Sequence, residues 1–137
     1  MTDAEFLRAL ETCVLPESEF KHADHLRAAY LYLQEADFVR ALERTRGAIR
    51  NYATHLGKPD RYHETITVAY VALIQQHIFE RGNGGSWVAF ARDNSELFQS
   101  GLLRRYYPQA QLESDMARRV FLLPHSSSAR SDTCAGS

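Results

Sequence analysis

Apolar residues recur at steps of three and four along four successive segments of this 137-residue chain, and short breaks separate the segments. This spacing is typical of amphipathic helices, whereas no stretch of useful length alternates as a strand would. The breaks lie at Pro16 and at residues 36–37, 57–60 and 82–85. Proline lacks an amide hydrogen and glycine ends helices readily, so the breaks that contain them predict helix ends. At residues 36–37 the signal is Asp37, which can cap the next helix. The pattern predicts an all-α fold, a compact bundle of four main helices followed by short C-terminal helices.

Capping residues set the limits of these helices, because Ser, Thr and Asp side chains accept hydrogen bonds from the first free N–H groups of a helix. The helices are predicted over residues 3–14, 18–35, 37–56, 62–81 and 87–93, with a last one from 112 or 115 to 121. The sequence beyond residue 124 is Ser-rich and almost free of large apolar side chains. We therefore expect a single helical domain over residues 1–124 and a disordered tail over residues 125–137.

The composition argues against several classes of partner. The formal net charge is only −1, which gives no long-range attraction for nucleic acid or an anionic membrane. No apolar run approaches the roughly 18 residues that a bilayer-spanning helix needs. The two cysteines form no CxxC motif, and the acidic, polar N-terminal sequence does not resemble a secretory signal. We expect a cytoplasmic protein that binds neither nucleic acid nor membrane.

Two short stretches carry histidines at predicted helix starts. The first is FKHADHL, residues 20–26, and the second is YHETIT, residues 62–67. Helical spacing places His22, His25 and His63 on the apolar sides of their helices. Short connections make helices two and three antiparallel, and likewise three and four, so helices two and four should start at the same end of the bundle. The three imidazoles are therefore predicted to meet.

Three converging imidazoles suit a transition-metal ion, and iron, copper, zinc and nickel all accept them. Asp24 and Glu64 are predicted to orient imidazole N–H groups; alternatively Glu64 binds the metal or acts as a general base on metal-bound water. The competing interpretation is that histidines at helix starts bond to the backbone without any metal. A helix N-terminus disfavours positive charge, so they would stay neutral in either case.

Familiar metal-site patterns do not fit this sequence. A ferritin-like dinuclear site needs two Glu-x-x-His elements, and only Glu19 to His22 provides one. A zincin needs His-Glu-x-x-His, but Thr67 occupies the last position after His63. The His-Asp dipeptide of HD-type phosphohydrolases is absent, because Asp24 precedes His25.

The two blocks together resemble a family of small, largely uncharacterised bacterial proteins that carry both FxHxDHL and YHETIT. The likeness covers residues 12–123, including Ala117-Arg118-Arg119-Val120-Phe121 near its end, while the Ser-rich ending departs from it. The resemblance implies a compact helical domain with these histidines at a shared site. It implies no particular reaction.

Two functions follow as hypotheses. The first is a metal-dependent enzyme acting on a small molecule, with His22, His25 and His63 as ligands and Glu64 handling protons. Oxidation is slightly preferred over hydrolysis, because carboxylates are too few for a two-metal phosphoester site. The alternative is a non-catalytic binding or regulatory module with structural histidines. Three tyrosines are near enough in sequence to line a pocket, namely Tyr30, Tyr62 and Tyr70.

Overall fold

A computed structural model describes residues 1–124, which fold into seven α-helices. They are α1 (Asp3–Glu11), α2 (His22–Glu35), α3 (Phe38–His55), α4 (Glu64–Arg81), α5 (Trp87–Asp93), α6 (Gln109–Leu112) and α7 (Asp115–Arg119). Short 3₁₀ turns cover Glu17–Glu19, Pro59–Arg61, Ser95–Phe98 and Leu102–Arg105. None of these residues forms a strand, so the all-α prediction is confirmed. The predicted tail over residues 125–137 lies outside the described residues.

Helices α2, α3 and α4 pack against one another and form the centre of the domain. The Tyr30 hydroxyl, in the second half of α2, donates to the Asn83 carbonyl just beyond α4 at 2.6 Å. The first turns of α2 and α4 meet at the opposite end, around a cavity described below. The two helices are therefore parallel, as their short connections to α3 predict. No helix within residues 1–124 combines the length and the apolar character needed to cross a bilayer.

Several helix limits match the capping residues, and two helix starts do not. Asp37 caps α3 by accepting from the Arg40 N–H at 3.0 Å, and Ser86 caps α5 in the same way. The start of α2 is later than predicted, because a 3₁₀ turn and an extended Lys21 precede His22. The start of α4 is also later, at Glu64 rather than at residue 62.

The first helix is shorter than its apolar pattern predicts. It ends at Glu11, and Thr12 closes it by donating its hydroxyl to the Arg8 carbonyl at 2.8 Å. Cys13 then adopts a left-handed φ of 61°, which turns the chain away from the helix axis. Val14, predicted to lie on the buried side, is 69% exposed as a result.

The end of the described chain returns to the first turn of α4. The buried Thr65 hydroxyl donates to the Val120 carbonyl at 2.8 Å and accepts from the Leu122 N–H at 3.1 Å. The Tyr107 hydroxyl donates to the Leu122 carbonyl at 2.7 Å. These bonds bring residues 98–122, which follow the main bundle in sequence, against the end of the bundle where α2 and α4 begin.

Candidate functional site

A cavity of about 330 Å³ lies among α2, α3, α4 and the turn before α4, and we call it the central cavity. His22, His25 and His63 all line it. Most of the remaining wall is aliphatic or aromatic, formed by Leu26, Ala29, Ile49, Tyr62, Ile66, Tyr70 and Val71. A volume of this size and an apolar wall with a few polar groups are typical of small-molecule sites.

His25 presents a free nitrogen lone pair. Its Nδ1 lies 2.8 Å from the Lys21 carbonyl oxygen, which can only accept, so Nδ1 carries the hydrogen and Nε2 does not. Its ring stacks on Phe20 with the centroids 4.0 Å apart. Burial lowers the pKa of His25, and the hydrogen bond to Lys21 opposes that shift only in part. His25 is therefore a neutral imidazole with an acceptor nitrogen.

Both ring nitrogens of His63 are engaged. The residue is the N-cap of α4, and its Nδ1 accepts from the Ile66 N–H at 3.1 Å. Its Nε2 must then carry the hydrogen, which it donates to the Leu112 carbonyl at 2.7 Å. His63 thus fixes the start of α4 and ties it to α6, and it has no lone pair left for a metal ion.

His22 stands at the border of a second cavity. Its ring meets the Tyr70 ring edge-on, with the centroids 5.1 Å apart. Among residues 1–124, neither of its nitrogens has a hydrogen-bond partner, and the side chain is exposed. His22, His63, Ile66 and Tyr70 also line a neighbouring cavity of about 620 Å³, which we call the outer cavity. The two cavities therefore adjoin along these four side chains.

The structure brings the three predicted histidines to one cavity wall without arranging them as ligands of one ion. Within the described part of the chain, no group of three or more His, Cys, Asp or Glu side chains is placed to hold a metal. The physical reason lies in His63, which would have to give up a hydrogen bond to the backbone before it could ligate. Metal binding by all three histidines stays a prediction.

Glu64 is not among the residues that line the central cavity, and its catalytic role stays a prediction. Its carboxylate accepts from the Tyr62 hydroxyl at 2.6 Å and from the Arg46 Nε at 3.0 Å. Burial, followed by the hydrogen bond to Glu64, raises the pKa of Tyr62 to about 12. Glu64 therefore contacts one residue of the cavity wall, Tyr62.

Asp24, the three tyrosines and His55 lie in different surroundings. The Asp24 carboxylate accepts from the Lys21 N–H at 2.9 Å and does not bond to an imidazole. Tyr30 lies at the other end of the bundle, while Tyr62 and Tyr70 do line the cavity. His55 is exposed.

A separate polar group joins α4 to the turn after α5. The Nδ1 of His77 lies 2.7 Å from the Oδ1 of the buried Asn94. Arg81 pairs with Glu96 at 2.9 Å beside it. The pKa of Glu96 is lowered, first by a hydrogen bond to its own backbone N–H and then by Arg81.

The outer cavity contains residues that sequence reasoning missed, notably Arg104 and Arg118. They come from the part of the chain that returns to α4, and no periodic pattern marks them. The whole chain matches no protein-family model, no curated protein and no solved structure, so the geometry of the two cavities carries the functional argument.

Proposed function

We propose that this protein binds a small, largely apolar organic molecule in the central cavity, where His25 accepts a hydrogen bond from it. The observation that carries this proposal is that His25, whose Nε2 has no hydrogen-bond partner among residues 1–124, lines a cavity with a mostly apolar wall. A donor group on the ligand would satisfy that nitrogen. An apolar body would occupy the volume bounded by the aliphatic and aromatic side chains.

The same nitrogen is suited to proton transfer. A neutral imidazole that is held in one tautomer can take a proton from a ligand O–H or N–H. The Lys21 carbonyl would orient the ring during that step, because it holds Nδ1–H at 2.8 Å. The same site therefore suits a protein that only binds its ligand and an enzyme that uses His25 for acid–base catalysis.

A transition-metal ion is the second candidate occupant. His22 and His25 are three residues apart on α2, both line the central cavity, and neither uses all its nitrogens in hydrogen bonds with residues 1–124. Imidazole pairs suit iron, copper, zinc or nickel, with the ligand or water completing the coordination. The hypothesis of a metal-dependent enzyme, with oxidation slightly preferred over hydrolysis, depends on these two histidines.

A matched pair of probes tests the binding proposal. Phenol donates an O–H and anisole does not, so phenol should bind about tenfold more tightly, a difference of about 1.4 kcal/mol. His25→Phe keeps an aromatic ring on Phe20 but removes the acceptor, so it should abolish the preference. His55→Gln, an exposed histidine outside the cavity, should keep it. Calorimetric titration showing no binding, or no preference for phenol in the wild type, contradicts the proposal.

Elemental analysis of protein purified without chelator tests whether a metal ion is bound. A site built on α2 should lose its metal in His22→Ala and in His25→Ala and keep it in His63→Ala. Loss in all three would instead restore the three-histidine site. A wild-type protein that carries no metal, and whose melting temperature added zinc, iron, copper or nickel does not raise, refutes the metal proposal.

A further inference from the structure

The outer cavity has more charged lining residues than the central cavity, where Arg61 lines the wall and pairs with Glu17 at 3.0 Å. Arg104, Arg118 and Glu113 line it together with the neutral side chains Gln99, Ser100 and Gln109. Glu113 already accepts a hydrogen bond from the Gln109 amide at 2.7 Å. Two cations against one carboxylate leave this cavity with a net positive wall.

Neither arginine is neutralised by a carboxylate of the described chain. Nine ion pairs occur among residues 1–124, and none of them includes Arg104 or Arg118. Arg118 donates one N–H to the Asp60 carbonyl at 3.0 Å. It forms no ion pair within the described chain, although Asp60, Glu64 and Asp115 line a further cavity with it. A guanidinium has five N–H donors, so most of those on Arg118 remain for a ligand.

Gly101 lies close to the Arg104 side chain. It adopts a left-handed φ of 79°, and a Cβ built there would lie 2.9 Å from the Arg104 Nη2. Arg104 is exposed, so its guanidinium would have to shift if a larger residue replaced Gly101. A guanidinium matches the geometry of a carboxylate.

We propose that the ligand is an amphipathic carboxylate, with its apolar part in the central cavity and its carboxylate at Arg104 and Arg118 in the outer cavity. This inference rests on the binding function proposed above and adds the chemical class of the ligand. The two cavities share His22, His63, Ile66 and Tyr70 as lining side chains, and the ligand would extend past these side chains from one cavity to the other.

The test compares 3-phenylpropionate with its neutral amide, 3-phenylpropionamide, by calorimetric titration of the full chain. The two probes have the same shape and differ in charge, so the acid should bind about tenfold more tightly to the wild type. Arg104→Gln and Arg118→Gln should each abolish most of that preference. Arg105→Gln is the matched control, because Arg105 adjoins Arg104 in the same 3₁₀ turn but lines neither cavity.

Gly101→Ala is a second variant, which keeps the charge and moves the guanidinium. It should reduce the preference for the acid, whereas a general effect of positive charge would leave it intact. Equal affinity of acid and amide in the wild type overturns the carboxylate proposal and leaves binding in the central cavity standing. If neither probe binds and phenol does not bind either, the carboxylate proposal and the proposed binding function are both refuted. An equal loss in Arg105→Gln also overturns the role of Arg104 and Arg118.

Discussion

Replacing His63 with alanine should remove two hydrogen bonds that the structure assigns to a single ring. One is the N-cap of α4, in which Nδ1 accepts from the Ile66 N–H, and loss of such a cap costs about 1 kcal/mol. The other is the bond from Nε2 to the Leu112 carbonyl, whose loss leaves a partly buried acceptor unsatisfied at a cost of about 1–2 kcal/mol. Together they predict a loss of about 2–3 kcal/mol in the free energy of unfolding.

Two further variants make this reasoning testable. His63→Asn retains a side-chain cap but does not reach Leu112, so it should recover about 1 kcal/mol of the loss. His55→Ala, at an exposed histidine, should stay within about 0.5 kcal/mol of the wild type. Urea unfolding followed by circular dichroism, with a chelator present throughout, measures all three. If the loss in His63→Ala appears only when metal is supplied, His63 is a metal ligand and the structural account is wrong.

Three smaller predictions concern other parts of the domain. Gly84→Ala should destabilise the protein by about 1–3 kcal/mol, and by more than Gly85→Ala does. Both glycines have a positive φ, but of the two only Gly84 would place an added Cβ 2.9 Å from the α5 backbone. Thermal unfolding of the two variants compares the losses. Glu64→Gln should lower the pKa of Tyr62 from about 12, seen as earlier tyrosinate absorbance in an alkaline titration, and an unchanged curve would count against their contact. Because the pKa of Glu96 is lower in the folded protein than its unfolded value of 4.5, its carboxylate stabilises the fold above pH 4.5, and this stability is lost as pH falls through the folded pKa. Glu96→Gln should therefore reduce the pH dependence of stability in that window. Identical acid unfolding of variant and wild type would argue against this contribution.

The helices of the bundle could be predicted from the sequence because the signals that mark them lie within each helix or at its ends. Apolar steps of three and four and the capping residues Asp37 and Ser86 mark the helices, and short connections set their directions. The parallel arrangement of α2 and α4 follows from loop length alone, and the bond from Tyr30 to Asn83 agrees with it. Local signals fail where a residue such as Cys13 adopts a left-handed conformation and ends a helix that its neighbours would continue.

The site was only partly predictable, because its chemistry depends on partners distant in sequence. Periodicity places His63 on the apolar side, but its partner Leu112 is 49 residues away. Without that bond the ring looks free to bind a metal. Arg104 and Arg118 reach the outer cavity because Thr65 holds residues 120 and 122, and nothing in the spacing of the bundle helices indicates this return of the chain.

The two walls of the outer cavity have separate origins in the chain. One wall carries His22, His63 and Tyr70 from the bundle, and the other consists of side chains from residues 98–118. Substitutions at exposed positions within residues 98–118 can therefore change one wall of the outer cavity while the side chains of the bundle wall stay the same. The same division gives protein engineers a place to start, since randomising the exposed positions around Arg104 would vary the shape and charge of that wall without replacing residues of the core.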